Sequence, residues 1–258
     1  MRWLAAILLS LAISIGANHA RAETLIASLS THRVLIASNF TGADLVLFGT
    51  IERDAVSVSR PGSYDVVVTI TGPRESFSTW RKDRVFGIWV NRESRTIVGA
   101  PAYLAVLSTR ALTEITDEET LRRLETGILN IALRHQVAGK PVLLAPDDPF
   151  RFAYLRIQTA NEFYRELANG VTFLTPAVFR SGLRLPADIP IGSYEVDVKL
   201  FAGGVMVARQ GTAFEVVKVG FEQFVTNAAR EHGLIYGFAT ASLALLTGWL
   251  ASIIFRRN

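Results

Sequence analysis

The sequence contains no cysteine in its 258 residues. This absence excludes disulfide bonds, thiolate metal sites and cysteine nucleophiles together. Histidine is also scarce, with four residues, and no two of them have the His-x-x-x-His spacing that places two ligands on one helical face. We therefore expect no histidine-based metal site and no resident cofactor. A chain of this length folds on packing alone, so it needs no covalent cross-link.

The central part of the chain has no excess of either charge. The formal charge of +4 comes from 27 basic and 23 acidic residues. Four of the basic residues lie close to the termini, namely Arg2, Arg21, Arg256 and Arg257, which leaves 23 basic against 23 acidic residues between them. A nucleic-acid binder needs a basic surplus to neutralise phosphates. We therefore expect no nucleic-acid partner.

Recognisable catalytic motifs are missing as well. The chain has no Gly-x-Ser-x-Gly, no His-Glu-x-x-His and no phosphate-binding glycine loop. The acidic runs at residues 117–119 and 147–148 lie at predicted helix starts, where carboxylates interact favourably with the helix dipole. We expect a protein that is not an enzyme. The alternative left open is a membrane-anchored, hydrolase-like enzyme whose active site combines side chains from both halves of the chain.

The N-terminus has the pattern of a secretory signal peptide. Residues 1–22 combine a basic start at Arg2, an apolar core over residues 3–15 and the sequence Ala20-Arg21-Ala22, a small-residue cleavage pattern. We expect this segment to be removed on export, so that the mature chain begins at Glu23.

The C-terminus has the pattern of a membrane anchor. Residues 233–255 contain no charged side chain, and a membrane-spanning helix needs about 20 apolar residues. Arg256 and Arg257 follow at once, and the positive-inside tendency places such residues in the cytoplasm. The sequence predicts a single-pass protein of the bacterial inner membrane, with a periplasmic domain and a cytoplasmic tail of residues 256–258.

Small residues recur at every third or fourth position of the predicted membrane helix. They are Gly233, Gly237, Ala241, Ala244, Gly248 and Ser252. Such a stripe lets helix backbones approach closely in lipid. It predicts a homodimer or docking on a multispanning transporter, although Gly and Ala are also frequent in membrane helices without a packing role.

Two regions have the alternating pattern of β-strands. Residues 23–112 predict an N-terminal β-sandwich-like domain, and residues 171–219 predict a C-terminal β unit. The clearest alternation, over residues 194–200, follows Ile189-Pro190-Ile191-Gly192, which is common in immunoglobulin-like sandwiches. Whether the two regions form one composite sandwich or two is left open. Further predicted strands include residues 85–91, 96–99 and 103–108.

A helical pair is predicted between the two β regions, at residues 113–170. Thr116 and Glu119 form a capping box, and apolar residues recur at helical spacing up to Gly139. A second helix should begin at Asp148-Pro149 and end at Asn169-Gly170. A juxtamembrane helix is predicted for residues 220–232. The expected fold class is mainly β, with this inserted helical pair, immunoglobulin-like sandwich units and one transmembrane helix.

A basic cluster beside two tryptophans is the candidate binding site. Arg81, Lys82 and Arg84 lie between Trp80 and Trp89. Guanidinium groups beside aromatic rings suit an anionic ligand such as a carboxylate, a phosphate or a sulfur oxyanion. The alternative is a solvated strand or turn whose charge Asp83 and nearby acids neutralise.

Several segments spread over nearly the whole chain resemble one known family. They are Asn39-Phe40-Thr41-Gly42-Ala43, Val46-Leu47-Phe48-Gly49, Thr71-Gly72-Pro73, Arg81-Lys82, Gly87-Ile88-Trp89-Val90-Asn91, Gly170-Val171-Thr172-Phe173-Leu174, residues 185–194 and residues 216–222. In these the chain resembles the Alph_Pro_TM family of single-pass alphaproteobacterial proteins. The resemblance implies an inner-membrane protein with no catalytic residues to carry over. It also implies a loose association with sulfite-exporter-like permeases, and so a transporter partner.

These observations together lead to one expectation about function. We expect a non-enzymatic inner-membrane protein whose periplasmic β-rich domain binds or scaffolds another envelope component.

Overall fold

Most of the structure consists of strands with alternating apolar side chains. It is a computed structural model that describes residues 23–37, 39–52, 63–220, 229–230 and 233–255. The prediction of a mainly β protein is confirmed, since strands dominate these residues. The predicted signal peptide at residues 1–22 and the tail at residues 256–258 lie outside the described residues. The predicted juxtamembrane helix at residues 220–232 also lies largely outside them.

Sheets 1 and 2 contain ten of the strands that the structure describes. Sheet 1 has the order β1-β3-β12-β11, formed by β1 (Thr24–Leu29), β3 (Ala43–Glu52), β12 (Val178–Leu185) and β11 (Val171–Phe173), and all its pairings are antiparallel. Sheet 2 has the order β10-β7-β4-β13-β14-β2, formed by β10 (Tyr164–Ala168), β7 (Leu104–Ser108), β4 (Tyr64–Thr71), β13 (Gly192–Ala202), β14 (Val205–Lys218) and β2 (Arg33–Ile36). In sheet 2 the pairs β10–β7 and β14–β2 are parallel.

One hydrophobic core lies between sheets 1 and 2. Leu47 and Phe179 from sheet 1 and Val68 and Val198 from sheet 2 belong to the same buried cluster. Strands from the two β regions also pair directly, β3 with β12 and β4 with β13. The two regions therefore combine into one composite body, which answers the question that the sequence left open. An immunoglobulin-like arrangement of the sheets is not confirmed.

A second hydrophobic cluster covers the other face of sheet 2. It includes Val67 and Val106 of that sheet and Tyr154 of a helix. The elements that cover this face are α1 (Leu112–Ile115), α2 (Glu118–Arg123), a 3-10 turn (Ile128–Asn130) and α3 (Pro149–Ala160).

The first predicted helix is wrong beyond Arg123. The side chain of Asp117, rather than that of Thr116, accepts the capping hydrogen bond from the backbone N–H of Thr120 at 2.8 Å. The residues that follow form the 3-10 turn and two short strands, β8 (Arg134–Val137) and β9 (Lys140–Leu143). The apolar residues among them recur at helical spacing because they pack in the second cluster, where Ile131 and Leu133 are buried, and not because they form a helix.

The second predicted helix starts correctly and ends early. The Asp148 side chain accepts a hydrogen bond from the Phe150 backbone N–H at 2.8 Å, and Pro149 occupies the first turn of α3. The helix ends at Ala160 instead of residue 169. Tyr164–Ala168 form β10 instead, because its pairing with β7 extends sheet 2.

Sheet 3 contains the longest hairpin. Its order is β5-β6-β8-β9, with β5 at Arg74–Val85 and β6 at Ile88–Pro101. The predicted strand over residues 85–91 is therefore wrong at its start, since Phe86 and Gly87 form the turn between β5 and β6.

Helix α4 spans Gly233–Phe255, the limits that the sequence predicted. In the described part of the chain, no helix combines the length and the apolarity needed to cross a membrane.

Candidate binding surface on the β5–β6 hairpin

The β5–β6 hairpin closes with a two-residue turn that places an aromatic side chain at its end. Phe86 and Gly87 have φ values of 48° and 84°, and positive φ at both positions is what a type I′ hairpin turn requires. Glycine adopts this conformation freely, whereas it is uncommon for a bulky residue. The Arg84 side chain closes the turn, since its Nε donates a hydrogen bond to the Gly87 carbonyl at 3.2 Å.

Apolar side chains at the end of the hairpin are exposed to solvent. We call this group the hairpin tip, formed by Val85, Phe86, Ile88, Trp89 and Val90. Phe86 is fully exposed, and the exposed fractions of Ile88 and Trp89 are 68% and 66%. Single exposed apolar residues are ordinary, whereas contiguous apolar groups are frequent at interaction sites, so the tip is a candidate binding surface.

One face of the hairpin carries cations that pair with acids across the strands. Arg92 Nη1 lies 2.9 Å from Asp83 Oδ2, and Arg81 Nη1 lies 3.9 Å from Glu93 Oε2. The hydrogen bonds from the Arg92 side chain and the Arg84 backbone hold the pKa of the Asp83 carboxyl below its ordinary value. This face is therefore neutral in its local charge balance.

The other face combines tryptophans with cations. Arg84 is opposite Trp89, and Lys82 is opposite Asn91, so these side chains point to one side of the ladder. Trp80, two residues before Lys82, shares that side and is itself exposed. We call this set, Trp80, Lys82, Arg84 and Trp89, the tryptophan face. Between Trp80 and the turn it contains no carboxylate, so within the described part of the chain its positive charge has no acidic partner.

The base of the hairpin is fixed to α3. Arg95 on β6 forms an ion pair with Asp148, the residue that caps α3. The Arg95 guanidinium also lies over the Phe150 ring, and Phe77 of β5 packs against Tyr154 with 5.5 Å between ring centroids. The direction in which the hairpin extends is thus set by the helix.

The three predicted anion-binding residues all lie on the hairpin, but on different faces. Arg81 is directed towards Glu93, whereas Lys82 and Arg84 belong to the tryptophan face. The apolar tip was not predicted, because the predicted strand over residues 85–91 included Phe86. The signal was the Phe-Gly pair between two alternating runs, which is weaker than the usual Asn-Gly.

The predicted helix-packing residues all lie on α4. They are Gly233, Gly237, Ala241, Ala244, Gly248 and Ser252, and all are exposed. A Cβ atom added at any of the three glycines would meet no atom within 4 Å among the described residues. The stripe is therefore accessible along its length.

Two open clefts lie away from the hairpin tip. One has a volume of about 520 Å³ and is lined by Arg74, Glu125 and Arg134 among others. The other has a volume of about 370 Å³ and lies beside Phe152 and Arg156 on α3. Over the part of the chain that the structure describes, no group of three or more His, Asp or Glu side chains has the geometry of a metal site.

Comparison with solved structures gives a weak likeness. The N-terminal domain of an adhesin from Streptococcus gordonii matches at 8% identity with a TM-score of 0.29, and the match covers 75% of this chain and 32% of that one. At these values the likeness supports no conclusion about fold or function. No curated protein matches the chain.

The sequence-based prediction of the family is confirmed. The family described as "Putative transmembrane protein (Alph_Pro_TM)" matches residues 24–257, and because this match spans almost the whole chain, the protein belongs to that family.

Proposed function

We propose that this is a single-pass inner-membrane protein whose periplasmic β-rich domain binds or scaffolds another envelope component through the β5–β6 hairpin. The observation that carries the proposal is the hairpin tip, where five apolar side chains face solvent on a rigidly anchored projection. No catalysis is part of this proposal.

The membrane attachment in this proposal is helix α4. It has 23 residues and no charged side chain, and its described leucines are exposed. A predominantly apolar helix without a covering protein surface among the described residues fits a lipid environment. Its two threonine hydroxyls form hydrogen bonds within the helix. Thr240 Oγ1 donates to the Tyr236 carbonyl at 3.0 Å, and Thr247 Oγ1 donates to the Leu243 carbonyl at 2.9 Å. The signal peptide and the cytoplasmic C-terminus belong to the same proposal.

The small-residue stripe on α4 gives this proposal a second contact surface. Its exposed glycines would let another membrane helix approach closely. The partner in lipid would be a second copy of the chain or a multispanning transporter of the sulfite-exporter-like class.

An immunoglobulin-like sandwich is the fold that we propose for the binding domain. One local feature supports it. Tyr194 Oη, at the start of a strand, donates a hydrogen bond to the Pro190 carbonyl four residues upstream at 2.6 Å. This is the geometry of the tyrosine corner found in such sandwiches. The Tyr194 ring also stacks on Phe214, with 4.8 Å between centroids.

Site-specific photo-crosslinking tests the binding role. A benzoylphenylalanine at position 89 in the full chain, irradiated in native membranes, should form adducts with a lipid or a protein. The matched control carries the same group at Val205, an exposed apolar residue beside the β13–β14 turn. Equal adduct yields at the two positions, or none at position 89, would contradict the proposal.

A further inference from the structure

We propose that the envelope component bound by the hairpin tip is the surface of an anionic lipid bilayer. This inference rests on the proposed function and specifies its partner. In this arrangement the hairpin tip enters the interfacial region, while the tryptophan face meets the lipid headgroups.

The shape of the site favours a fluid surface, such as a bilayer, over a partner with a fixed pocket. The tip is a convex end formed by a two-residue turn, with Phe86 fully exposed and Ile88 and Trp89 beside it. Within the described residues neither cleft includes a residue of this tip. A convex apolar end without a surrounding rim buries its surface most simply by entering a fluid medium, because no matching cavity has to exist.

The order of side chains along the hairpin matches the layers of a bilayer surface. The Cα atom of Lys82, four residues before Phe86, lies about 13 Å behind it at the usual strand rise, whereas the Arg84 guanidinium is held at the turn by its hydrogen bond to the Gly87 carbonyl. Amphipathic helices at membrane surfaces bury their apolar face about 5–10 Å into the boundary between headgroups and acyl chains, and we take the same depth for the hairpin tip. The Lys82 side chain would then lie near phosphate level, with the Arg84 guanidinium closer to the tip.

Trp89 supports the same depth. It is opposite Arg84 and on the same face as Lys82, whereas Trp80, six residues before Phe86, lies about 20 Å behind it. Tryptophan prefers the headgroup level, where its ring is partly apolar and its N–H finds a partner.

The charge distribution selects anionic lipid. On the opposite face Arg92 pairs with Asp83 and Arg81 with Glu93, so those cations are already neutralised. Among the residues that the structure describes, Lys82 and Arg84 form no ion pair with a carboxylate, and the surface potential of anionic lipids attracts such residues. A zwitterionic surface would provide the apolar contact without this attraction.

A fluorescent label at the tip tests this inference, and the absence of cysteine makes single labelling straightforward. Full-length Ile88→Cys, labelled with the environment-sensitive dye NBD, is reconstituted into vesicles of phosphatidylcholine alone or mixed with phosphatidylglycerol. We expect a blue-shifted emission and quenching by brominated lipid in the mixed vesicles, both weaker in phosphatidylcholine alone. Val205→Cys, labelled in the same way, should show neither difference.

The outcomes separate this inference from the proposed function. A label at position 88 that stays in water in anionic vesicles, or that responds equally in both lipids, overturns the anionic-bilayer inference. If position 89 then crosslinks to a protein in native membranes, the proposed function stands with a different partner. If it crosslinks to nothing, both proposals fail.

Discussion

The Arg95 guanidinium lies over the ring of Phe150, with 4.7 Å between Cζ and the ring centroid. The same guanidinium pairs with Asp148, whose other carboxylate oxygen accepts a hydrogen bond from the Phe150 backbone N–H. One side chain of the hairpin thus contacts both the cap and the first turn of α3. This contact holds a long two-stranded projection in a fixed direction relative to the sheets.

Replacing Arg95 by leucine should lower the free energy of unfolding by about 1–3 kcal/mol, because the change removes a cation–π contact and leaves Asp148 without its partner. The exposed fractions of the two side chains are 30% and 13%, so solvent only partly compensates. Urea unfolding of the full chain in detergent measures the effect. Arg92→Leu is the control: its side chain is 68% exposed, and we expect less than about 1 kcal/mol. Equal losses in the two variants would contradict this view of the hairpin base.

The substitution Gly49→Ala should destabilise the fold strongly, although Gly49 lies in a β-strand. Gly49 lies opposite Phe179 in sheet 1, and an added Cβ would collide with the Phe179 ring. Overpacking of this kind typically costs about 1–3 kcal/mol. Gly182→Ala, on the strand that contains Phe179, is the matched control, since its added Cβ meets nothing within 4 Å. Thermal unfolding of both variants measures the difference, and similar melting temperatures would show that the contact is not tight.

Tyr103 should make the free energy of unfolding decrease at alkaline pH. Its hydroxyl is buried without a hydrogen-bond partner among the described residues, and burial raises its pKa to about 12, above the ordinary value of 10. The unfolded chain therefore loses this proton first, so stability is full below about pH 10 and falls as pH rises towards 12. Tyr103 contributes about 2–3 kcal/mol to that fall.

Tyr103→Phe should consequently flatten the decline between pH 10 and pH 12 and should not lower stability at neutral pH, because it removes a buried hydroxyl that has no hydrogen-bond partner among the described residues. Some decline persists in the variant, because burial also raises the pKa values of Tyr154, Tyr164 and Tyr194. Urea titrations across this range compare the two proteins. Parallel curves would show that the Tyr103 hydroxyl is not buried in solution.

The two faces of the hairpin should respond differently to loss of charge. Lys82→Gln with Arg84→Gln removes the unpaired cations, and we expect the anionic-lipid response of the label at position 88 to fall strongly. Arg81→Gln with Arg92→Gln removes the same formal charge from the paired face and also frees Asp83 and Glu93. Equal losses in both double variants would fit a response to net charge alone and would contradict a role for the tryptophan face.

The alternation of apolar and polar residues predicted which segments form strands, but it did not predict which strands pair with each other. The pattern of Leu25, Ala27 and Leu29 predicted β1, because one face of that strand packs in the core. Nothing local in residues 43–52 shows that this strand pairs with residues 178–185, since such pairing depends on the whole topology. The composite body of sheets 1 and 2 was for this reason not predictable.

The errors at the helices have a related cause. Leu121, Ile128 and Ile131 recur at helical spacing, yet only Leu121 lies in an α-helix. Burial against sheet 2 imposes the same selection for apolar residues on a turn and a loop.

The candidate site was found in part, since the basic cluster was visible in the sequence. Its division into two faces depends on the register of β5 and β6, including the irregularity between Arg81 and Lys82.

Accessibility of a thiol at the hairpin tip tests most directly whether the tip is a contact surface. Full-length Trp89→Cys would be reacted with a water-soluble maleimide in opened native membranes and again after solubilisation in detergent. We predict much slower labelling in the membranes than in detergent, with little difference for Val205→Cys. Equally fast labelling of position 89 in both conditions would mean that the tip faces water, and would contradict the account.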